Sequence, residues 1–130
     1  MITLDTNVLV RAITGDDAEQ SPIARAALAG LSVEAPGFVS HAVLLELYWV
    51  LARSKQLPVA EVLRVFEGLM RVTALEIEDG ESIGEALEHA RTGADFADAL
   101  IAATSRLYGI TETVTFDRDA ARRFGWRLLA

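Results

Sequence analysis

The chain has 130 residues, 52% of them hydrophobic, which is the size of one ordinary domain with enough apolar content to bury a core and argues against disorder. It contains no cysteine, so disulfides, thiolate metal sites and cysteine nucleophiles are excluded, and only His41 and His89 offer imidazole; any metal site must be built from oxygen. A formal net charge of −7 counts against a broad basic surface for nucleic acid. Net charge is not local charge, however: of the twelve cations only Lys55 is lysine, arginine is the better fork for phosphate, and carboxylates gathered around divalent cations reverse the field a polyanion meets.

No segment approaches the roughly 20 consecutive apolar residues of a membrane span, and Asp5 comes too early for a signal peptide. The expectation is a soluble, cytoplasmic protein. The first run, Ile2 to Arg11, is a short apolar strand that delivers Asp5 and then turns helical near Val8. An acid closing the first strand of an open α/β sheet lies where ligands bind, outside the carboxyl ends of the strands. Asp5 reads equally well as the N-cap of the helix that follows.

Gly15-Asp16-Asp17 interrupts this helix, and a second follows within Asp17 to Leu31, with Pro22 in its first turn and Gly30 as a stop. Asp16 and Asp17 read as charge at a helix N-terminus. Pro36-Gly37-Phe38-Val39 is a second strand leading into Ser40, a good N-cap. The helix beyond it, Ala42 to Ala52, is apolar on all sides except at Glu46, which predicts that it is largely buried or covered by a partner. An ionised carboxylate in such surroundings costs on the order of several kcal/mol unless paired, protonated or bound to a cation. Glu46 therefore forms a salt bridge, with Arg11 or Arg53 as candidates, or serves a site.

After Leu57-Pro58, Val59, Val62, Leu63, Phe66, Leu69 and Met70 share one helical face. Val72 to Ile77 reads as a third strand, and Ile83, Ala86, Leu87 and Ala90 as the buried stripe of a helix whose outer face carries Glu81, Glu85 and Glu88. His89 has no acidic partner at metal spacing and reads as a surface or satisfied histidine. Thr92-Gly93 closes that helix and Ala94 to Ser105 opens the next, with Asp95 and Asp98 three apart on one side. Asp95 suits an N-cap; Asp98, near the third helical position, is explained less well by capping. The small residues Ala97, Ala99, Ala102 and Ala103 predict close packing, expected against a central sheet.

Glu112 to Asp117 repeats the opening pattern, a β-rich run ending in an aspartate, before a helix at Arg118 to Phe124 and a last strand in Gly125 to Leu129. Asp117 either caps that helix or joins a site. Strands alternating with helices imply a parallel sheet with its carboxyl ends on one edge.

The ordered set LDTNVLVR, LLELYWVL, DFADALIAATS and VTFDRDAARRF resembles the PIN domains, and among them the VapC-type toxin ribonucleases of toxin–antitoxin pairs, over essentially the whole chain. The resemblance implies a single domain over residues 1–130, a three-layer α/β/α arrangement around a parallel sheet of about five strands. It implies that Asp5, Glu46, Asp98 and Asp117 form an acidic quartet gathering Mg²⁺ or Mn²⁺, with Asn7 and Thr115 as accessory polar positions and Asp95 as an extra acid or helix cap. It further implies an RNA substrate and a small antitoxin, which would suit an exposed apolar surface inferred around Leu44, Leu45, Tyr48 and Trp49, as would a homodimer contact. Mg²⁺ prefers oxygen ligands and is commonly held by one or two carboxylates plus phosphate. On that chemistry Asp5 and Asp98 hold a metal, Asp117 completes its shell or a second site, and Glu46 orients a metal-bound water for in-line attack on RNA.

Three other readings compete with this one. A receiver-like signalling module whose Asp5 accepts phosphate expects an acidic pair near the first strand and a late lysine, but Asp5 stands alone and Lys55 follows the third helix. A phospho-aspartate hydrolase expects a second acid two residues after Asp5, where the chain has Asn7. A catalytically silent PIN-like binding module is countered by the presence of all four acids.

Overall fold

The opening apolar run is extended only over Ile2–Thr3 (β1), and helix α1 begins at Thr6, earlier than expected, because Asp5 is extended (φ −78°, ψ 156°) and occupies the N-cap position. The computed structural model describes residues 1–130 and divides into two compact units, Met1–Asp79 and Gly80–Ala130.

In the first unit α1 (Thr6–Thr14) ends at Gly15, whose φ of 63° lies in the left-handed region that glycine enters without penalty. Next come α2 (Gln20–Ala29), β2 (Gly37–Val39), α3 (His41–Trp49), α4 (Val59–Met70) and β3 (Leu75–Ile77). The three strands are parallel in the order β1-β2-β3, with Ile2 opposite Gly37 and Gly37 opposite Leu75. Gly37 is required there: a Cβ would stand 2.8 Å from Leu31 Cδ1 and 3.0 Å from Leu4 Cδ1. The core joins Leu9 of α1, Val39 of β2, Leu44 and Leu47 of α3, and Val62 and Phe66 of α4, all buried. Tyr48 meets Phe66 edge to face at 6.1 Å, a geometry that adds to simple area burial.

Helix α3 corrects the reading of its sequence. Leu44 and Tyr48 are core residues, and of the four residues expected to form an apolar docking surface only Trp49 is exposed, at 50%. Ala42, Glu46 and Trp49 fall on one exposed stripe, since residues three and four apart lie above one another on a helix. The helix then widens into one π turn, Val50–Ser54, closed by the Lys55 amide on the Val50 carbonyl at 2.9 Å. Arg53 lies over the Trp49 ring, 5.4 Å from its centroid.

The second unit comprises α5 (Gly80–Arg91), α6 (Phe96–Leu107), β4 (Val114–Thr115), α7 (Arg118–Phe124) and β5 (Arg127–Leu128). Its two strands pair in parallel, Val114 opposite Arg127. The expected helical stripe holds in full: Ile83, Ala86, Leu87 and Ala90 are buried, and with them Phe96, Ala99, Leu100 and Ala103. The small residues of α6 press against α5 rather than a sheet, because small side chains let two helix backbones approach closely. Each fully buried large apolar side chain contributes about 1.5–3 kcal/mol. The α/β class is as expected, and all five strands pair in parallel, as sheets of three and two. No helix is long and apolar enough to cross a membrane.

Candidate metal centre

The parallel pairing in the first unit puts the carboxyl ends of β1, β2 and β3 on one edge, and each strand is followed there by a polar residue: Asp5 one residue beyond Leu4, Ser40 after Val39 and Glu78 after Ile77. Two of the three are used locally. Ser40 Oγ accepts the Val43 amide at 3.2 Å, capping α3, and Glu78 Oε1 accepts the His41 amide at 2.8 Å. Asp5 differs. It holds the N-cap position of α1, yet its carboxylate makes no capping hydrogen bond and the residue is exposed. The backbone reason for an aspartate at this point is therefore absent, and the alternative of a helix cap loses its main support. The neighbouring Thr6 hydroxyl is buried without a partner.

Glu46 is exposed on α3, so burial does not force it to find a counter-ion, contrary to the expectation from its apolar neighbours. Neither candidate bridge forms. Arg11 lies 3.7 Å from Asp16 and 4.0 Å from Asp17, and Arg53 covers Trp49. Asn7, the accessory position, is exposed and lines a hollow shared with Arg11 and Gln20.

In the second unit three of the acids singled out in the sequence come together. Asp95, Asp98 and Asp117 line a single cleft of about 510 Å³, with Asp119, Arg122 and Arg123 also on its wall. Asp95 caps α6, its Oδ1 accepting the Asp98 amide at 2.9 Å, and Asp117 caps α7, its Oδ1 accepting the Ala120 amide at 2.9 Å. Thr115 Oγ1 accepts the Asp117 amide at 3.0 Å, so this accessory residue orients the backbone that carries the acid. Asp98 caps nothing. Desolvation pushes its carboxyl above the ordinary range, and the negative charges of Asp95 and Asp117 push it further the same way. Arg122 is engaged by Asp119 at 2.5 Å, and Arg123 donates to the Thr92 hydroxyl and carbonyl. None of the three cleft acids has a basic partner of its own.

No three His, Asp or Glu side chains stand ready-made around a metal position. The donor set nonetheless fits a hard divalent cation. It is all oxygen, and Asp98 carries unrelieved negative potential that a cation, with water and phosphate completing its shell, would discharge. Asp119, on the cleft wall, is not singled out by the sequence, where it is one charge among several in α7.

The chain is similar in structure to the toxin VapC20 of Mycobacterium tuberculosis, a sarcin-ricin loop cleaving toxin, at 22% identity over 95% of each chain with a TM-score of 0.47. No curated protein sequence matches it. The PIN domain family model matches residues 2–125, almost the whole length and across both units, and the chain belongs to the PIN-domain family.

Proposed function

We propose that the protein is a metal-dependent endoribonuclease, the toxin of a toxin–antitoxin pair, working as a single domain over residues 1–130. The observation that carries this reading is Asp98: a partly buried carboxyl with no capping duty, pushed above its ordinary range by desolvation and then by Asp95 and Asp117, on the wall of the acidic cleft and paired with no cation. Membership of the PIN family supplies the activity class, and the VapC-like motifs in the sequence supply the toxin role.

Asp5, Asp98 and Asp117 would hold Mg²⁺ or Mn²⁺, and Glu46 would position the attacking water. A bound divalent ion supplies Lewis acidity, neutralising phosphate charge and lowering the pKa of water. The chain's own part is positional. The α6 cap by Asp95 and the Thr115 contact fix the backbone beneath two of the acids, and Asp5 leaves its carboxylate uncommitted. With no cysteine and no histidine on the cleft wall, proton transfer falls to carboxylates and water. A small antitoxin that places a basic side chain against these acids is the partner such a toxin requires, and a homodimer in the cytoplasm completes the proposal.

The test is cleavage of cellular RNA by purified protein freed of antitoxin, with Mg²⁺ or Mn²⁺ and with chelator. Cleavage that appears with the ion, disappears with chelator and is absent in folded Asp5→Asn and Asp98→Asn is the expected result. Undiminished cleavage by both variants overturns the site.

A further inference from the structure

The far side of α7 carries a second hollow, and its chemistry is unlike that of the acidic cleft. It has a volume of about 550 Å³, and its wall includes His89, Arg106, Arg123, Phe124, Trp126 and Arg127. Three rings form a short ladder there: Phe124 stacks on Trp126 at 5.2 Å with 27° between planes, and His89 meets Phe124 edge-on at 5.5 Å. All three are only half-buried. Of the arginines, Arg106 is paired with Glu85 and Arg127 with Glu112, but Arg123 donates only to the Thr92 hydroxyl and carbonyl, so its charge is not neutralised. Arg123 and Phe124 line the acidic cleft as well, so the two hollows share a wall.

We propose that this hollow is a base-stacking subsite that takes one unpaired nucleotide of a single-stranded RNA segment. The base lies against the Trp126–Phe124 face and the adjoining phosphate against Arg123, while the chain continues into the acidic cleft. The proposal rests on the ribonuclease reading above and adds a recognition element to it. Aromatic rings beside an unneutralised arginine are the combination that single-stranded nucleic acid uses, because every base presents a π-face and every linkage a phosphate. A protein ligand would have to match a hollow whose uncompensated charge is positive and whose apolar part is flat and aromatic. RNA meets both demands in one repeating unit.

The full chain carrying Trp49→Phe leaves Trp126 as the sole tryptophan. This variant is titrated with a short unstructured oligoribonucleotide in chelator, so that binding is read without cleavage. Trp126 fluorescence is expected to be quenched, and Arg123→Gln and Trp126→Ala, read by anisotropy of a labelled oligonucleotide, to weaken binding roughly tenfold each, as loss of a stacking or phosphate contact does. Trp126→Phe should retain most of the affinity. Saturable binding with unchanged Trp126 fluorescence, binding indifferent to Arg123→Gln, or no binding at all overturns the subsite. Quenching without any metal-dependent cleavage leaves the subsite standing and overturns the nuclease reading; cleavage with no effect of Trp126 or Arg123 does the reverse.

Discussion

The Asp98 amide donates to the Asp95 carboxylate at 2.9 Å, so the residue that caps α6 is also one of the two negative charges that add to desolvation in holding the Asp98 carboxyl above its ordinary value of 3.8. Capping and electrostatic pressure are thus exerted by one side chain. Asp95→Asn separates them, since asparagine caps a helix as well as aspartate does. The Asp98 pKa, followed by carboxyl-carbon NMR, is expected to fall towards the ordinary value while the melting temperature at neutral pH holds or rises; an unmoved Asp98 titration would show that Asp95 exerts no such pressure.

Asp98 itself should cost the fold stability at neutral pH. Its folded pKa is raised, so between the unfolded and folded values the native state binds more protons, and stability falls as pH rises through that window. Asp98→Asn removes the penalty. In chelator the variant should melt a few degrees above the parent at pH 7.5, a shift typical of a small domain, and the gap should close as the pH approaches 3.8. A variant that melts lower at pH 7.5 would contradict this.

Asp5 and Asp117 occupy the same position relative to their helices, yet only Asp117 makes the capping bond, to Ala120 at 2.9 Å. Asp117→Ala should therefore lose about 1 kcal/mol, the usual worth of a cap, and Asp117→Asn should recover most of it. Asp5→Ala should lose little. Equal losses in urea unfolding at Asp5 and Asp117 would mean that Asp5 caps α1 in solution.

Glu46 stands exposed on α3, so Glu46→Gln should change stability by no more than about 0.5 kcal/mol, as surface substitutions usually do. If Glu46 positions water, the same variant should cleave RNA about 100-fold or more slowly, the range of a lost proton-handling group. A variant that is less stable but fully active would assign Glu46 to structure.

Phe66 is 1% exposed and meets Tyr48 edge to face. Phe66→Ala should cost about 3–5 kcal/mol, the usual range for emptying a buried aromatic position. Denaturant unfolding of this variant measures it, and a loss below about 1 kcal/mol would mean that the first unit repacks around the gap.

Much of the architecture was legible in periodicity. Val62, Leu63 and Phe66 on α4, and Ile83, Ala86, Leu87 and Ala90 on α5, are buried as their spacing predicts, because a helix that buries one face must repeat its apolar residues every three to four positions. Breakers were equally informative: Gly15 ends α1 with positive φ, and Ser40 caps α3; Gly125, expected to open the last strand, instead ends α7 with positive φ. Helix α3 misled because its composition hides its periodicity. Alanine is apolar in sequence but tolerates exposure, so the sequence of α3 hides the exposed stripe of Ala42 and Glu46, while Trp49 is exposed as expected.

Residue types and their spacing along the chain were enough to carry the PIN-family motifs, the order of elements and the all-oxygen character of any metal site. Tertiary structure decided which carboxylates are spent and which are left over. Asp95 and Asp117 each accept a helix amide, Glu78 accepts another, and Asp5 and Asp98 accept none. That distinction turns on the direction of each side chain relative to an unpaired N–H a few ångströms away, and a linear spacing that allows a cap does not say whether the cap is made.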